Sequence, residues 1–245
     1  MFYFPALASA EGIATLAGNE GHHAGGARRL AVGDDIWLFD GHGTVGRAKI
    51  SAIDRRKSVL QAIIDECCVV PAPQPRIELA CALPKGERQS ILLENATQLG
   101  INAFWPLQCD RSIVKPGANA SRRWQRICVE ACKQSRRPHL PVIHKPVRPE
   151  ALMSATAVME YAIWVAHPPA TSRTLQDLIS IVRTDVLTRA ILLVVGPEGG
   201  FTDAEVASLV ASGAQTVSLG PAILRIETAA IALLAYVALR AGLDE

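Results

Sequence analysis

The sequence has no apolar run near the roughly 18–20 residues that a membrane-spanning helix requires. Its first segment, MFYFPALASAEG, carries no basic residue and continues directly into predicted structure, so we do not expect a signal peptide. Hydrophobic residues make up 49% of the 245 residues and charged residues 20%, a balance that suits a fold with a substantial core. These features predict an intracellular, cytoplasmic protein without a membrane partner.

Metal-ligand spacing is also missing. Six cysteines occur, yet none forms a C-x-x-C pair and none clusters with histidine, which argues against a zinc site. Two of them are spaced to share a helix face, but two ligands do not make a metal site. We therefore expect no bound metal, and we interpret all six as small buried apolar residues: Cys67, Cys68, Cys81, Cys109, Cys128 and Cys132.

Three common active-site motifs are absent. There is no G-x-x-x-x-G-K-[ST], which excludes a P-loop, and no G-x-S-x-G, which excludes a hydrolase nucleophile elbow. No G-x-G-x-x-G follows the first strand of the predicted α/β part, and no pair of carboxylates has an evident acid–base role.

Positive charge is concentrated in the middle third of the sequence. Residues 74–150 contain 13 basic and 6 acidic residues, a net charge of +7, whereas residues 1–73 carry −1 and residues 151–245 carry −4. On a chain whose total charge is only +2, such a patch is typical of a polyanionic partner. The alternative is a solvated helix face.

Residues 1–73 are predicted to be rich in β-strands. The stretch DDIWLFDGHGTVGRAKISAID predicts two strands joined around Gly41-His42-Gly43, SVLQAIIDECCVV predicts another, and GHHAGGARRL predicts one short helix. Several short strands in so few residues indicate a small β-barrel. The segment PAPQP then predicts a linker, which gives domains at residues 1–73 and 74–245.

Residues 74–245 alternate between predicted strands and helices, which is typical of a parallel sheet with helices on both faces. The predicted strands are RIELACALP, INAFWPLQ, EYAIWVA, AILLVVG and AQTVSLG. The predicted helices are KGERQSILLENATQLG, ASRRWQRICVEACKQS, SRTLQDLISIV, TDAEVASLVASG and IETAAIALLAYVALRAG. Thr202 and Glu205 have the spacing of a capping box at the start of the fourth helix.

Two loops at the carboxyl ends of predicted strands are the best candidates for a ligand site, since ligands bind at that edge of such sheets. They are GPEGG at 196–200 and LGPAILR at 219–225. Glycine lets a ligand approach the backbone closely, and Pro197 fixes φ. These loops suit a flat polar group bound by main-chain atoms, and an ordinary strand–helix turn is the alternative.

The residues around these loops resemble a known family. GPEGGFTDAE followed by LGPAILRIETAAIA resembles the two C-terminal motifs of the SPOUT methyltransferases, most closely the RsmE-type 16S ribosomal RNA (uracil-N3) methyltransferases. The resemblance extends over most of the chain through HHAGGARRLAVGD, NATQLGI, and RW with EACKQSRR. The chain departs from the family pattern at Gln98, at Gly25 and Gly26, and at Ile226.

This resemblance implies a fold and a cofactor. It implies a PUA-like RNA-binding β-barrel, then an α/β SPOUT domain whose C-terminal trefoil knot holds S-adenosylmethionine. The first knot loop would follow AIWVAHPP, and the others would be residues 196–200 and 219–229. It also implies a homodimer with the active site at the subunit interface and the apolar face of residues 227–241 in that contact. Carried over residue by residue, the cofactor-binding set is Val195, Gly196, Glu198, Gly199, Gly200, Leu219, Gly220, Ile223, Leu224, Glu227, Thr228 and Ala229.

The function implied by the resemblance is methylation of N3 of a specific uridine in the 16S ribosomal RNA of the 30S subunit. Arg225 would stabilise negative charge on the uracil carbonyls, or else form a salt bridge to Glu198 or Glu227. His167 could act as the base. The alternatives are a SPOUT-class transfer RNA methyltransferase and a non-catalytic ribosomal RNA-binding or assembly protein. The residues expected to contact RNA are Arg29, Arg111, Arg122, Arg123, Arg136 and Arg137.

Overall fold

The computed structural model of the chain describes residues 1–26, 30–156, 161–167, 173–174 and 190–241. They divide into two compact units, one of residues 1–72 and 129–140, the other of residues 73–128 and 141–245. The sequence predicted two domains, residues 1–73 and 74–245, each of which folds on its own. Compact units are defined by contacts and do not show independent folding, so these domain bounds stay a prediction.

The first unit is built on a five-stranded sheet with strand order β1–β3–β4–β5–β2. Strand β1 pairs with β3 in parallel and the other pairs are antiparallel. Two register shifts between β4 and β5 bend the sheet, as β-bulges do. The predicted hairpin around Gly41-His42-Gly43 is confirmed, whereas closure into a barrel stays a prediction. The elements are β1 (Phe2–Tyr3), β2 (Ile13–Leu16), α1 (Gly18–Gly26), β3 (Asp35–Phe39), β4 (Thr44–Asp54) and β5 (Val59–Val69), with a short 3-10 helix at Leu7–Ser9.

The second unit contains a seven-stranded sheet with strand order β10–β12–β9–β11–β6–β7–β8. All its pairs are parallel, which confirms the predicted sheet type. Every residue of β6 and β11 is buried, so protein covers both faces at the centre of the sheet. The strands are β6 (Ile77–Ala82), β7 (Ala103–Leu107), β8 (Val142–Ile143), β9 (Tyr161–Ala166), β10 (Arg173–Thr174), β11 (Ala190–Val195) and β12 (Gln215–Ser218).

Five further helices lie within the described residues, and the last of them contains the most apolar segment of the sequence. They are α2 (Arg88–Gln98), α3 (Ala120–Ser135), α4 (Pro149–Thr156), α5 (Asp203–Ala211) and α6 (Ile226–Ala241). Helix α6 packs against α2, β6 and β11, and its Leu233 and Leu234 are fully buried. Much of the apolar surface of α6 is therefore buried within its own unit, while Leu239 remains exposed.

Two interpretations of the sequence are corrected by the structure. The predicted helix SRTLQDLISIV is wrong at Arg173–Thr174, which pair with β12 as strand β10, so sheet pairing overrides the local helical pattern there. The rest of that segment lies outside the described residues. Cys67 and Cys68 are exposed because β5 is exposed from Asp65 to its end, while the other four cysteines are buried as interpreted.

The predicted trefoil knot depends on the passage of the chain through residues outside the described set, and it stays a prediction.

Helix α3 ends in a backbone conformation that glycine would adopt more easily than the residue present. Arg136 has φ of +59°, and the N–H of Arg137 donates to the carbonyl oxygen of Cys132 at 3.0 Å. This is the Schellman arrangement, in which the left-handed position is usually glycine. A side chain at that position costs about 1 kcal/mol.

We therefore expect Arg136→Gly to raise the free energy of unfolding by about 0.5–1 kcal/mol, because it relieves the left-handed strain. Urea denaturation measures this change. Arg137→Gly is the matched control, since Arg137 has no positive φ, and it should lower stability. An Arg136→Gly variant no more stable than the parent would contradict the strain argument.

Candidate active site

A cavity of about 300 Å³ lies at the carboxyl ends of β9, β11 and β12, three strands that neighbour one another in the parallel sheet. Neighbouring parallel strands bring their following loops together at one edge, as expected for a ligand site. The cavity is lined by Ala166 and His167 after β9, residues 195–201 from β11, residues 219–224 after β12, and Ile226 and Ala229 of α6.

The structure brings most of the predicted cofactor-binding residues together. Those that border the cavity are Val195, Gly196, Glu198, Gly199, Gly200, Leu219, Gly220, Ile223, Leu224 and Ala229. Glu227 and Thr228 do not border it. Among the lining residues that were not in the predicted set, Phe201 and Ile226 are buried. The cavity therefore includes Ile226, at which the chain departs from the family pattern.

The glycines of the loop at 196–200 are required by the packing of the loop itself. A β-carbon on Gly196 would lie 2.8 Å from the ring of Phe201, and one on Gly199 would lie 3.3 Å from Cβ of Arg111. The first distance is too short for any side chain, because Phe201 is a buried ring that cannot give way. The bare backbone therefore leaves room for the side chains of Phe201 and Arg111 to pack against the loop.

Arg111 holds the loop at 196–201 through two hydrogen bonds. It follows strand β7, and its Nη1 donates to the carbonyl oxygens of Gly199 at 2.9 Å and Phe201 at 3.2 Å. Hydrogen bonds from a charged donor are stronger than those between neutral groups. We predicted Arg111 only as an RNA contact, so this role was missed.

The segment that carries Arg111 is also held by a hydrogen bond to the start of α5. The N–H of Asp110 donates to Oε1 of Glu205 at 2.8 Å, and Glu205 is fully buried. Its other oxygen accepts from the N–H of Thr202, and Thr202 Oγ1 accepts from the N–H of Glu205, so the predicted capping box is confirmed. One carboxylate thus caps α5 and ties its first turn to the segment that carries Arg111.

Arg88 links the loop at 196–200 electrostatically to the first turn of α6. It is the first residue of α2, and its guanidinium lies 3.6 Å from Oε1 of Glu198 and 3.7 Å from Oε1 of Glu227. Glu227 is nearly buried, and its Oε2 has no hydrogen-bond partner within the described part of the chain. A buried carboxylate without a counter-charge destabilises the folded protein, so the positive charge of Arg88 stabilises Glu227. Sequence reasoning did not identify Arg88.

Arg225 does not form part of the cavity wall, and its catalytic role stays a prediction. Its neighbours Leu224 and Ile226 border the cavity, but Arg225 is exposed and does not. The predicted alternative, a salt bridge to Glu198 or Glu227, is not found within the described residues, where both carboxylates pair with Arg88.

The cysteines near the site are not nucleophiles. Burial raises the pKa of Cys81 well above its ordinary value, and nearby Cys109, Glu227 and Glu198 raise it further. Burial likewise raises the pKa of Cys109 to about 12. A raised pKa keeps a thiol protonated, whereas nucleophilic attack requires the thiolate.

The remaining predicted RNA contacts are distributed over different parts of the chain. Arg29 lies outside the described residues. Arg122 and Arg123 are exposed in the first turns of α3. Arg136 and Arg137 follow its last turn, where burial lowers the pKa of Arg137. A guanidinium stays charged even so. Contact of these residues with RNA stays a prediction.

The described ranges contain no group of three or more histidine, cysteine, aspartate and glutamate side chains arranged to hold a metal ion. None of the helices within them is long and apolar enough to cross a membrane.

Comparison with known proteins places the chain in a family. The profile of an RNA methyltransferase domain matches residues 71–238, and the profile of an RNA methyltransferase PUA domain matches residues 16–63. The ribosomal RNA small subunit methyltransferase E of Mycobacterium bovis is 34% identical, over 97% of this chain and 90% of that protein. The protein of the same name from Synechocystis is also 34% identical, over 93% and 73%.

Solved structures show the same fold over nearly the whole chain. The crystal structure of a ribosomal RNA small subunit methyltransferase E from Neisseria gonorrhoeae, bound to S-adenosyl methionine, has a TM-score of 0.82 at 28% identity and covers 96% of this chain and 94% of that one. A methyltransferase from Legionella pneumophila with the same bound cofactor has a TM-score of 0.81 at 31% identity and covers 94% and 92%. The chain therefore belongs to the family of RNA methyltransferases that includes the ribosomal RNA small subunit methyltransferase E proteins.

Proposed function

We propose that the protein transfers a methyl group from S-adenosylmethionine to N3 of a specific uridine in 16S ribosomal RNA, on the 30S subunit and in the cytoplasm. The observation that carries the proposal is the cavity at the carboxyl ends of β9, β11 and β12, which the predicted cofactor loops line. The relatives named for small-subunit ribosomal RNA methylation, and the neighbours bound to S-adenosylmethionine, support both substrate and cofactor.

The residues of the cavity fit S-adenosylmethionine. Its volume of about 300 Å³ is within the range of small-ligand pockets, and Val195, Leu219 and Leu224 supply an apolar wall. The glycines let a ligand approach the main chain of both loops closely, which suits hydrogen bonding to an adenine. Glu198 adds a carboxylate at the wall, where it would attract a positively charged ligand. When bound, S-adenosylmethionine supplies an electrophilic methyl group on a sulfonium.

The residues of the chain would hold and deprotonate the uracil. N3 carries a weakly acidic proton, which must leave as the methyl group arrives. Of the side chains that the structure places around the cavity, only those of Glu198 and His167 carry a carboxylate or an imidazole, so these two are the candidates to accept the proton. Loops fixed by Arg88 and Arg111 would keep the reacting groups aligned, which contributes much of the rate in such transfers.

We further propose that two copies of the chain form the active unit. Ile223 borders the cavity but is 97% exposed, which is unusual for a large apolar side chain at a binding site. A second copy would cover it and enclose the cavity. Sedimentation at the mass of one chain would contradict this arrangement.

The reaction is tested by incubating 30S subunits with labelled S-adenosylmethionine and digesting the RNA to nucleosides. We expect label in 3-methyluridine from 16S ribosomal RNA, and no comparable label in bulk transfer RNA. Label in transfer RNA alone would favour the transfer RNA methyltransferase. Absence of any transfer by a protein that binds ribosomal RNA would favour a non-catalytic assembly role.

Arg225→Ala is expected to lower kcat by about 10²–10³ with little change in cofactor affinity, because one donor that stabilises transition-state charge has about that effect. The physical reason is the exposed guanidinium between Leu224 and Ile226, two residues that border the cavity, and this group stays charged at any working pH. Single-turnover methylation of 30S subunits at saturating cofactor measures the rate.

The control for this variant is Arg240→Ala, which removes an exposed arginine from the last turn of α6, the helix that follows Arg225. Its rate should stay within a few-fold of the parent. A similar rate for Arg225→Ala would refute the catalytic role, and equal losses of rate and cofactor affinity would assign Arg225 to cofactor binding instead.

A further inference from the structure

A second cavity lies in the same unit, between the start of α2 and the segment that leads into α3. Its volume is about 720 Å³. It is lined by Gly86 and Gln89, by residues 115–120, and by Arg122, Arg123 and Arg126. None of these residues borders the cavity at the carboxyl ends of β9, β11 and β12, so this basic cavity is a separate site.

The wall of the basic cavity carries four positive charges and no carboxylate: Lys115, Arg122, Arg123 and Arg126. All four side chains are exposed, and none of them forms an ion pair with the part of the chain that the structure describes. Arg88 and Arg148 of the same unit each pair with two carboxylates. Uncompensated like charges around one concavity repel each other and attract an anion.

One of the four, Arg123, is held in place by hydrogen bonds centred on Gln89. Gln89 Oε1 accepts from Arg123 Nη2 at 3.0 Å and from Trp124 Nε1 at 3.3 Å, and its Nε2 donates to the carbonyl oxygen of Pro84 at 3.0 Å. Trp124 is 1% exposed, so Gln89 is anchored to the core.

This anchor orients the guanidinium of Arg123 at the cavity wall before any ligand arrives. A guanidinium has five N–H donors, and within the described residues Arg123 uses one group toward Gln89. The others can form the paired hydrogen bonds that suit two oxygens of a phosphate. Preorganisation of this kind lowers the entropic cost of binding.

We propose that the basic cavity binds a backbone phosphate of the RNA substrate, away from the nucleotide that is methylated. The identification of the polyanion as RNA rests on the proposed function, whereas the preference for a phosphate follows from the four cations and the fixed guanidinium. Contacts to phosphate fix the register of an RNA without reading its sequence. The cavity would therefore position the RNA, and base contacts elsewhere would select the uridine.

The test measures the affinity of the cofactor-free protein for deproteinised 16S ribosomal RNA between about 50 and 200 mM salt, a range over which phosphate contacts weaken steeply. The slope of log affinity against log salt should fall by about one for Lys115→Gln or Arg126→Gln and by about two for the double variant. Lys145→Gln is the matched control, because Lys145 is an exposed lysine of the same unit outside the cavity. Its slope should equal that of the parent.

Methylation kinetics give a second readout. The double variant should raise KM for the RNA and leave kcat within about twofold, since it removes binding that ground and transition states share. A parent protein that binds RNA but methylates no uridine would refute the proposed function without affecting the binding test. An unchanged salt slope in the double variant would overturn the phosphate site. Binding of inorganic pyrophosphate by the parent and the double variant is measured as well. If the double variant loses pyrophosphate binding but keeps the parent's affinity for RNA, the cavity does not bind an RNA phosphate and the proposal is overturned.

Discussion

Two arginines hold the cofactor loops of this protein, and the geometry of the site depends on them. Arg111 donates to two main-chain carbonyl oxygens of the loop at 196–201, and Arg88 lies between the carboxylates of Glu198 and Glu227. The Arg111 contacts are hydrogen bonds from a charged donor, which are stronger than those between neutral groups, and the Arg88 contacts are ion pairs. Together they fix a short glycine-rich loop whose backbone would otherwise be free to adopt many conformations.

The order of the strands explains how these arginines reach the loops. In the sheet, β7, β6, β11, β9 and β12 are successive neighbours, and all run in parallel. Their following segments therefore converge at one edge. Two of them supply Arg111 and Arg88, and the other three supply the walls of the cavity. The glycines belong to the same arrangement, because Gly199 leaves room for the stem of Arg111. Fold and site are thus connected through a single edge of the sheet.

The sequence predicted those parts of the structure whose conformation depends mainly on residues close together in the chain. The continuous apolar run of β11, the capping box at Thr202 and the two loops after β11 and β12 were all identified from neighbouring residues. Contacts between distant residues could not be identified that way. Arg111 and Gly199 are 88 positions apart, and nothing in either segment indicates the other. The strand at Arg173–Thr174 escaped prediction for the same reason, since its pairing partner lies in β12. The family resemblance supplied the cofactor-binding set, but it did not show that Arg225 lies outside the cavity.

The measurement that tests this account most directly is the affinity of Arg111→Ala for S-adenosylmethionine, by calorimetry in the absence of RNA. Loss of both hydrogen bonds should loosen the loop at 196–201 and weaken cofactor binding at least about tenfold, which corresponds to 1.4 kcal/mol. Arg240→Ala, at the far end of α6, should bind the cofactor as the parent does. A folded Arg111→Ala variant with the parent's cofactor affinity and a reduced affinity for RNA would contradict the account and assign Arg111 to the RNA surface alone.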